Sequence, residues 1–206
     1  MSDMPLVQLL LGICVGVSLS AACGFRIFVP MLVASVGVHF FGIHVNESLQ
    51  WVGSWTALVV LSTATICEMF AYYIPWIDNA LDLINTPLAL LAGTILMSGM
   101  LPELNPCLKW CVAGVLGSGA AGVTKVTSAV LRSASTATTG GLGNNLVSTT
   151  ENFCSTVFSV LAFIIPVITF TIVIVSFVAI FFLSRKLLFK ARQLKAGTTL
   201  DRRQLQ

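Results

Sequence analysis

Long apolar runs are the feature that most constrains what this chain can fold into. Residues 6–24 and 153–183 contain no charged side chain, and the second run encloses Pro166. A helix needs about 20 apolar residues to cross a hydrocarbon core of about 30 Å. Only 9% of the 206 residues are charged, against about 25% in an ordinary soluble domain. We therefore predict an all-α, polytopic membrane helical bundle with no separate soluble domain.

The segments between these two runs predict further spans and an early interruption. Residues 27–41 are a second apolar piece, separated from the first by Arg26 and broken by Pro30. The two pieces form either one long discontinuous helix or a short hairpin. The other predicted elements are an interfacial loop with tryptophans at 42–55, a span at 56–74, a helix at 78–101, an apolar glycine-rich segment at 107–123 and a tilted, kinked or protruding helix at 153–183. The count is five spans if each broken segment crosses once and seven if each forms a hairpin.

The basic residues are concentrated at the C-terminus. Seven of the 11 lysines and arginines fall within residues 185–206. Basic residues that flank a span mark its cytoplasmic end. We therefore predict a single transmembrane helical domain at 1–183 and a basic cytoplasmic tail at 184–206. Either span count then puts the N-terminus outside, and nucleic acid is not an expected partner.

An internal repeat is also suggested. Residues 21–32, AACGFRIFVPML, align with residues 120–131, AAGVTKVTSAVL, and the alignment pairs Arg26 with Lys125. Many transporters are built from two such repeats. The alignment predicts two structurally repeated halves, which are inverted if the chain has five spans and parallel if it has seven.

Six ionisable side chains are predicted at membrane depth: Arg26, Glu68, Asp78, Asp82, Lys125 and Arg132. Charged groups are costly there, so they usually face a cavity or one another and mark a functional path. Asp78 and Asp82 lie four residues apart on one helix face, and their mutual repulsion requires a cation nearby. Arg26 is the economical choice, and a bound monovalent cation or a shared proton is the alternative. The six groups therefore form either a polar cavity for an ion or solute or a neutral network that fixes helix packing.

Small hydroxyl, amide and glycine residues fill the stretch from Arg132 to Asn152. We expect this stretch to be non-helical, and such backbone at membrane depth must be buried in protein or line water. A glycine-rich turn there presents N–H groups to an anion, with Arg132 as counter-charge. An extramembrane loop is the equal alternative. The candidate binding side chains are Ser135, Thr136, Thr138, Thr139 and Asn144, and the candidate helix breaks are Pro30, Pro75, Gly140 and Gly141.

Three stretches resemble a known family: GFRIFVPML at 24–32, EMFAYYIPWIDNALDLINTPLALLAG at 68–93 and GSGAAGVTKVTSAVLRSASTATTGGLGNNLVSTTE at 117–151. They are similar to a bacterial multi-pass membrane family that is catalogued only as a domain of unknown function. The resemblance implies a bacterial inner-membrane location, with the N-terminus periplasmic, and it implies no activity. The family pattern falls on Arg26, Pro30, Glu68, Pro75, Asp78, Asp82, the segment 132–144 and Glu151. It also implies an uncharged residue at Lys125 in near relatives, which weakens Lys125 as a site.

The residues favour transport among the functions we weighed. The first hypothesis is a small transporter or channel for an ion or a small polar or anionic solute. Glu68, Asp78 and Asp82 would take the coupling cation or proton, and Arg26 or Arg132 would engage the anion. The alternatives are translocation of an anionic lipid head group in a groove open to lipid and a structural or assembly role.

An enzyme is not expected, and neither is a cofactor or a metal. The sequence has no HExxH motif, no nucleophile beside a base and no cluster of cysteine and histidine. The expected partners are the lipid bilayer, a monovalent cation or proton, and a small anionic solute or lipid head group. A homo-oligomer stays open.

Overall fold

The computed structural model describes residues 6–141 and 143–204, with the backbone alone described for 75–80, 82 and 187–204. Within that part of the chain there are eight α-helices and no strand, so the predicted all-α bundle is confirmed. The helices are α1 (Leu6–Phe25), α2 (Phe28–Phe41), α3 (Trp55–Ala71), α4 (Pro75–Met100), α5 (Pro106–Val112), α6 (Gly119–Thr139), α7 (Asn144–Ile164) and α8 (Pro166–Gln204). A 3₁₀ helix (Glu47–Gly53) precedes α3, and a π-helical segment (Ala113–Ser118) joins α5 to α6.

Five stretches of helix are long and apolar enough to cross a membrane by length and composition. They are α1, Leu83–Met100 of α4, the continuous stretch Pro106–Thr139, α7, and Pro166–Lys186 of α8. A sixth results if the 3₁₀ helix and α3, which are bent by 74°, count together as one span. The predicted long apolar run at the C-terminus is two helices, because the helix breaks at Ile165 before Pro166.

Contacts divide the chain into two compact units, Met1–Phe170 and Thr171–Gln206. The first unit holds α1 to α7 and the beginning of α8, and the second holds the remainder of α8. The predicted border between residues 183 and 184 rests on charge and not on contacts, and it stays a prediction. From residue 187 onward the basic side chains of the predicted tail lie outside the described residues.

Helices α1 and α2 form a hairpin and not one long discontinuous helix. Gly12 of α1 packs against the carbonyl of Met100 at the end of α4. The backbone N–H of Asn46, which follows α2, donates to the Gly99 carbonyl at 2.8 Å. Because Gly99 and Met100 are neighbours, the chain has returned after α2 to the end of the bundle where α1 begins. The hairpin alternative of the sequence analysis is therefore the one observed.

The tip of this hairpin is Arg26 and Ile27, and Pro30 does not break the second piece as predicted. Helix α2 runs without interruption from Phe28, with Pro30 in its first turn. Proline is tolerated there because the first N–H groups of a helix have no intrahelical acceptor. Helix α2 has 14 residues and measures about 21 Å at about 1.5 Å per residue. The other arm, α1, has 20 residues and is long enough to cross a hydrocarbon core of about 30 Å, so the depth of Arg26 in the membrane stays a prediction.

The described residues from Arg132 to Asn152 are helical on both sides of a turn, which corrects the predicted non-helical backbone, while a location of this turn outside the membrane stays a prediction. Helix α6 continues to Thr139, and among the described residues of the stretch Gly140 and Gly141 adopt left-handed backbone, with φ of 63° and 95°. Helix α7 then begins at Asn144. Hydroxyl side chains here donate to backbone carbonyls one turn back, as Thr138 does to the Ala134 carbonyl at 2.9 Å. These hydrogen bonds are compatible with a continuous helix. Gly140 and Gly141 suit this turn, since glycine takes φ above zero without strain.

Close contacts between small residues bring α1, α4 and α6 together. A Cβ added at Gly93 of α4 would lie 2.8 Å from the Gly117 carbonyl in the π-helical segment. A Cβ added at Gly24 of α1 would meet the Ala121 carbonyl and lie 2.9 Å from the Lys125 backbone nitrogen on α6. Glycine therefore lets the end of α1 touch α6 directly. This contact carries the hairpin tip next to the charged face of α6.

The two segments of the predicted repeat differ after their paired residues. Residues 21–25 and 120–131 are both helical, and the helix ends after Phe25 in the first segment. In the second segment α6 continues past Lys125 for four more turns before the turn at Gly140. The predicted repeat, and whether it is inverted or parallel, stays a prediction.

Candidate functional site: a buried charge cluster

Six buried side chains meet at the tip of the α1–α2 hairpin and form what we call the Tyr72 cluster: Arg26, Glu68, Tyr72, Lys125, Arg132 and Glu151. Each exposes 6% or less of its surface. They come from four places, namely the hairpin tip, the end of α3, one face of α6 and one face of α7. Charged groups at such burial are stable only when they are paired or hydrogen-bonded.

Arg26 is fully buried and holds the hairpin tip against α7. Its Nε donates to Asn152 Oδ1 at 2.5 Å, and its Nη2 donates to the Ser148 carbonyl at 3.2 Å. Nη2 also lies 3.3 Å from Glu151 Oε2. The remaining nitrogen, Nη1, is buried without a hydrogen-bond partner. A buried donor without an acceptor is unfavourable, so this atom marks a place where an acceptor is wanted.

Glu68 holds the beginning of α2 from a neighbouring helix. Its Oε1 accepts from the Ile27 N–H and its Oε2 accepts from the Phe28 N–H, both at 3.0 Å. The first N–H groups of a helix lack intrahelical acceptors and carry a partial positive charge. No side chain of α2 itself caps this end. The Glu68 carboxylate of α3 therefore caps the N-terminus of α2 inside the bundle.

Arg132 and Glu151 form a second buried pair between α6 and α7. Arg132 donates from Nε to Glu151 Oε1 at 3.1 Å and from Nη2 to Glu151 Oε2. Nη2 also donates to Ser148 Oγ at 3.1 Å, and the Ser128 hydroxyl donates to Glu151. Two contacts between one guanidinium and one carboxylate fix orientation as well as distance. This pair locks the middle of the α6–α7 hairpin.

The ring of Tyr72 is the centre on which three cations converge. The guanidinium carbons of Arg26 and Arg132 lie 3.7 Å and 4.6 Å from the ring centroid, and Lys125 Nζ lies 5.9 Å from it. The tyrosine hydroxyl accepts from Asn85 Nδ2 of α4 at 2.8 Å. Cations within about 6 Å of an aromatic ring are attracted to its face. The described side chains of the cluster thus comprise three positive groups and two carboxylates.

The predicted acidic pair on α4 falls outside this description. The backbone at positions 78 and 82 is helical, whereas the side chains of Asp78 and Asp82 lie outside the described residues. Their predicted role as a cation or proton site stays a prediction. Pro75 is the first residue of α4, and its side chain is likewise outside the described residues. Of the six predicted buried charges, the structure brings together Arg26, Glu68, Lys125 and Arg132.

The predicted hydroxyl and amide side chains of the glycine-rich stretch lie apart from the cluster. They sit at the end of the α6–α7 hairpin, where Thr136 and Asn144 hydrogen-bond each other and Thr139 bonds to the Ser135 carbonyl at 2.8 Å. Thr136, Thr138 and Thr139 are exposed. Their hydrogen bonds are local to this turn. The structure therefore does not bring these predicted ligands together with Arg132.

The cluster contains side chains that the sequence analysis did not propose as a site. Glu151 and Tyr72 are central to it, and the partners on α7 include Ser148 and Asn152. The available signal was spacing: Ser148, Glu151 and Ser155 lie three and four residues apart and therefore on one helical face. This periodicity conflicts with the non-helical backbone predicted for residues 132–152, and the structure resolves the conflict in favour of the helix.

Of three cavities lined by described residues, one reaches the cluster and the other two lie elsewhere in the fold. A cavity of about 280 Å³ between α6 and α7 is lined by Ser128 and Glu151 at its polar end and by Leu131 and Leu146 among its apolar walls. Both leucines are more than half exposed, at 54% and 73%. The other two have volumes of about 450 and 500 Å³. Arg26 and Glu68 line none of these three cavities and expose 0% and 6% of their surface.

The fold and the site together define a polytopic, all-helical membrane bundle whose hairpins enclose a buried ionic cluster. Residues 13–186 match the family described as "Domain of unknown function (DUF4126)", and the chain belongs to this family. The predicted resemblance is thereby confirmed, while the bacterial and inner-membrane parts of it stay predictions. No curated protein matches the chain. No solved structure matches it either.

Proposed function

We propose that this protein is a membrane carrier for a small oxyanion that binds at the Tyr72 cluster. One observation supports this most: the buried cations Arg26, Arg132 and Lys125 converge on one aromatic ring, and Arg26 keeps one buried nitrogen without an acceptor among the described residues. Ionisable groups at membrane depth usually serve transport, and guanidinium donors suit an anion. The six side chains of the cluster are buried, which suits a carrier in an occluded state better than an open channel.

The chemistry of the cluster suits an oxyanion in particular. A guanidinium is planar and offers parallel N–H donors that match a carboxylate, phosphate or similar oxyanion. Arg26 has one buried N–H-bearing nitrogen, Nη1, without an acceptor. Tyr72 keeps the guanidinium plane in place, and Asn85 fixes the tyrosine hydroxyl. An anion that enters here finds donors already oriented, which reduces the entropic cost of binding.

Handling of an anionic lipid head group is the second candidate, and the cavity between α6 and α7 favours it. This cavity is lined by the exposed Leu131 and Leu146 and by Glu151 of the cluster. An acyl chain would lie against its apolar walls while a phosphate approached Arg132. The ligand chemistry is the same oxyanion, but its source is the bilayer and not the aqueous phase.

The proposal carries further expectations with it. The protein has no catalytic activity and needs no cofactor. It lies in the inner membrane of a bacterium, with the basic tail in the cytoplasm and the N-terminus in the periplasm. A structural or assembly role, in which the cluster only fixes helix packing, is the competing interpretation.

Reconstitution into liposomes tests the proposal. We would load vesicles with nitrate or sulfate and measure efflux for the wild type, Arg26→Lys, Arg26→Ala and the control Arg185→Ala, which changes an exposed arginine outside the cluster. Efflux that falls at least tenfold in Arg26→Ala and survives in Arg185→Ala supports the carrier. Arg26→Lys keeps the positive charge and removes only the guanidinium geometry. Slow efflux by folded Arg26→Lys would therefore report a loss of anion recognition and not a loss of folding.

A second arm identifies the source of the oxyanion. Vesicles that contain fluorescent phosphatidylglycerol report its movement between leaflets through quenching by dithionite. Lipid movement without nitrate or sulfate efflux replaces the carrier with the lipid candidate. A folded, monodisperse wild type that moves neither ions nor lipid overturns both and leaves the structural role.

A further inference from the structure

Two neighbouring cavities lie outside the Tyr72 cluster, and none of the six side chains of the cluster lines either of them. One, of about 450 Å³, lies where α1 begins, α4 ends and the loop after α2 returns. The other, of about 500 Å³, lies between α2 and α7. Ile43 and Phe163 line both cavities, so the two adjoin at these side chains. Each volume falls within the range of about 300 to 1,000 Å³ that is usual for ligand sites.

The cavity between α2 and α7 is apolar throughout. Every described residue that lines it is aliphatic, phenylalanine or glycine. Three of these residues, Phe41, Val160 and Ile164, are exposed. Helix α7 is long and apolar enough to cross a membrane, so we expect these side chains to face lipid. An acyl chain matches this cavity in polarity and is available from the bilayer itself.

The cavity at the start of α1 has a polar rim, which is formed by Gln8, His44 and Glu103. All three residues are exposed, and their side chains form no hydrogen bond or ion pair with another described residue. Amide and imidazole N–H groups suit the phosphate of a lipid headgroup, and a carboxylate suits an ammonium group. This rim therefore offers partners for both parts of a zwitterionic headgroup.

The charge of the rim favours a headgroup that carries an ammonium. No lysine or arginine is among the described residues that line this cavity. Lys109, at the same end of the bundle, donates to Asn46 and Ser48 and does not line the cavity. A headgroup with a phosphate and no ammonium would meet the Glu103 carboxylate without a compensating charge. A phosphoethanolamine headgroup offers its ammonium to Glu103 and its phosphate to the N–H donors of the rim.

The rim also lies where lipid headgroups are expected. Trp51 and Trp55 are exposed, and the Trp55 ring centroid lies 4.4 Å from that of His39 near the end of α2. Exposed tryptophans are typical of the interface between membrane and water. The loop that carries His44 follows α2 directly at this end. A lipid with its headgroup at the rim and an acyl chain in the apolar cavity therefore keeps both parts in their usual surroundings.

We propose that the two cavities together bind one bilayer lipid of the phosphatidylethanolamine type. The headgroup lies at Glu103 and His44, the glycerol lies across Ile43 and Phe163, and an acyl chain lies between α2 and α7. The site is separate from the Tyr72 cluster and does not rest on the proposed carrier. Binding involves no covalent step.

Native mass spectrometry of the full chain tests the headgroup. Protein stripped of lipid in detergent would be titrated with phosphatidylethanolamine or with phosphatidylglycerol of the same acyl chains, and the bound lipids would be counted. We expect phosphatidylethanolamine to bind about fivefold more tightly, as one exposed ion pair allows. Glu103→Gln should remove this preference. Glu47→Gln is the matched control, because Glu47 is exposed and lines neither cavity, and it should keep the preference.

A tryptophan in the apolar cavity tests the position of the acyl chain. Val160→Trp fills part of this cavity and should weaken the binding of both lipids about tenfold or more, because two groups do not share one packed space. Val59→Trp is the matched control, since Val59 is exposed on α3 and lines neither cavity. It should leave both affinities unchanged.

The outcomes are distinct from those of the carrier. Equal affinity of the wild type for the two lipids, or tighter binding of phosphatidylglycerol, overturns the proposal. Unchanged affinity in folded Val160→Trp overturns it as well. If Val160→Trp does not fold, Glu103→Gln decides: an unchanged preference for phosphatidylethanolamine overturns the proposal. None of these measurements involves transport, so a negative result leaves the carrier standing, and an absence of nitrate efflux leaves the lipid site standing.

Discussion

The Arg26 guanidinium carbon lies 3.7 Å from the centroid of the Tyr72 ring. Arg132 approaches the same ring at 4.6 Å, so two like charges share one aromatic platform. The negative face of the ring offsets part of their repulsion, and the effect is larger without water. Tyr72 therefore stabilises the two guanidinium groups at the hairpin tip, as a counter-ion would.

Replacing Tyr72 should separate the effect of the ring from the effect of the hydroxyl. Tyr72→Leu removes the platform for Arg26 and should lower the free energy of unfolding by about 2 kcal/mol or more. Tyr72→Phe keeps the ring but removes the hydroxyl that accepts from the buried Asn85 Nδ2. It should lower the free energy of unfolding by about 1 kcal/mol. Thermal unfolding in detergent, followed by tryptophan fluorescence, measures both. Equal losses in the two variants would mean that the ring contributes no cation binding.

The close approach of α1 to α6 predicts opposite results at two glycines. Gly24→Ala places a methyl group against the Ala121 carbonyl and 2.9 Å from the Lys125 nitrogen. We expect a loss of about 1 to 3 kcal/mol, because backbone must move, together with slower anion efflux. Gly114→Ala is the matched control, since a Cβ there meets nothing within 4 Å. It should leave stability unchanged or raise it by up to about 1 kcal/mol.

Anion efflux that survives Gly24→Ala at the wild-type rate would show that the spacing of α1 and α6 does not matter to the site. Equal melting temperatures for the Gly24 and Gly114 variants would contradict the packing argument itself.

Asn46 joins three segments at the other end of the bundle. Its backbone N–H donates to Gly99, its Nδ2 donates to the Leu101 carbonyl at 3.3 Å, and its Oδ1 accepts from Ser48 and from the buried Lys109 Nζ at 3.1 Å. This junction holds the loop after α2 to the end of α4 and to α5. It lies outside the Tyr72 cluster.

Variants of Asn46 should therefore change stability and not anion recognition. Asn46→Ala removes every hydrogen bond of the Asn46 side chain and leaves the buried Lys109 ammonium with one acceptor fewer. We expect it to lower the free energy of unfolding by about 1 to 3 kcal/mol. Asn46→Asp keeps the acceptor for Lys109 and loses only the donor, so its loss should be smaller. Melting temperatures rank the two, and the ratio of nitrate to sulfate efflux should equal that of the wild type. A changed ratio would connect this end to the site.

The sequence alone predicts the helical bundle and several buried charges, and it fails on their partners. Apolar length is a local property, so spans such as 6–24 could be read directly. The pairing of Arg132 with Glu151 could not be read from the sequence, because Glu151 lies on the next helix. The predicted non-helical backbone also gave no reason to place Glu151 on a helical face. The hairpin direction of α1 and α2 also depends on a distant contact, that of Gly12 with Met100. No local pattern reports such a contact.

Labelling of cysteines tests the cavity between α6 and α7. Cys154 lines this cavity and is half-buried, whereas Cys23 exposes only 1% of its surface. In proteins that keep one cysteine each, pyrene-maleimide should label Cys154 in vesicles and should not label Cys23. The modified Cys154 protein should lose lipid movement if phosphatidylglycerol uses the cavity. Equal labelling of the two would mean that the bundle opens elsewhere or that the cavity is closed.

The two contacts between Arg132 and Glu151 predict that the pair is costly to break and cheaper to remove. Glu151→Gln leaves Arg132 buried beside a neutral amide, and we expect about 3 to 5 kcal/mol of lost stability. Combining Glu151→Gln with Arg132→Met should recover part of that loss, because the buried charge that has lost the Glu151 carboxylate goes as well. Recovery should be incomplete, since Arg26 also lies 3.3 Å from Glu151. Thermal unfolding of both single variants and of the double variant gives the coupling energy between Arg132 and Glu151. Glu103→Gln is the control. Losses of stability that add in the double variant would show that the two residues do not act as a pair.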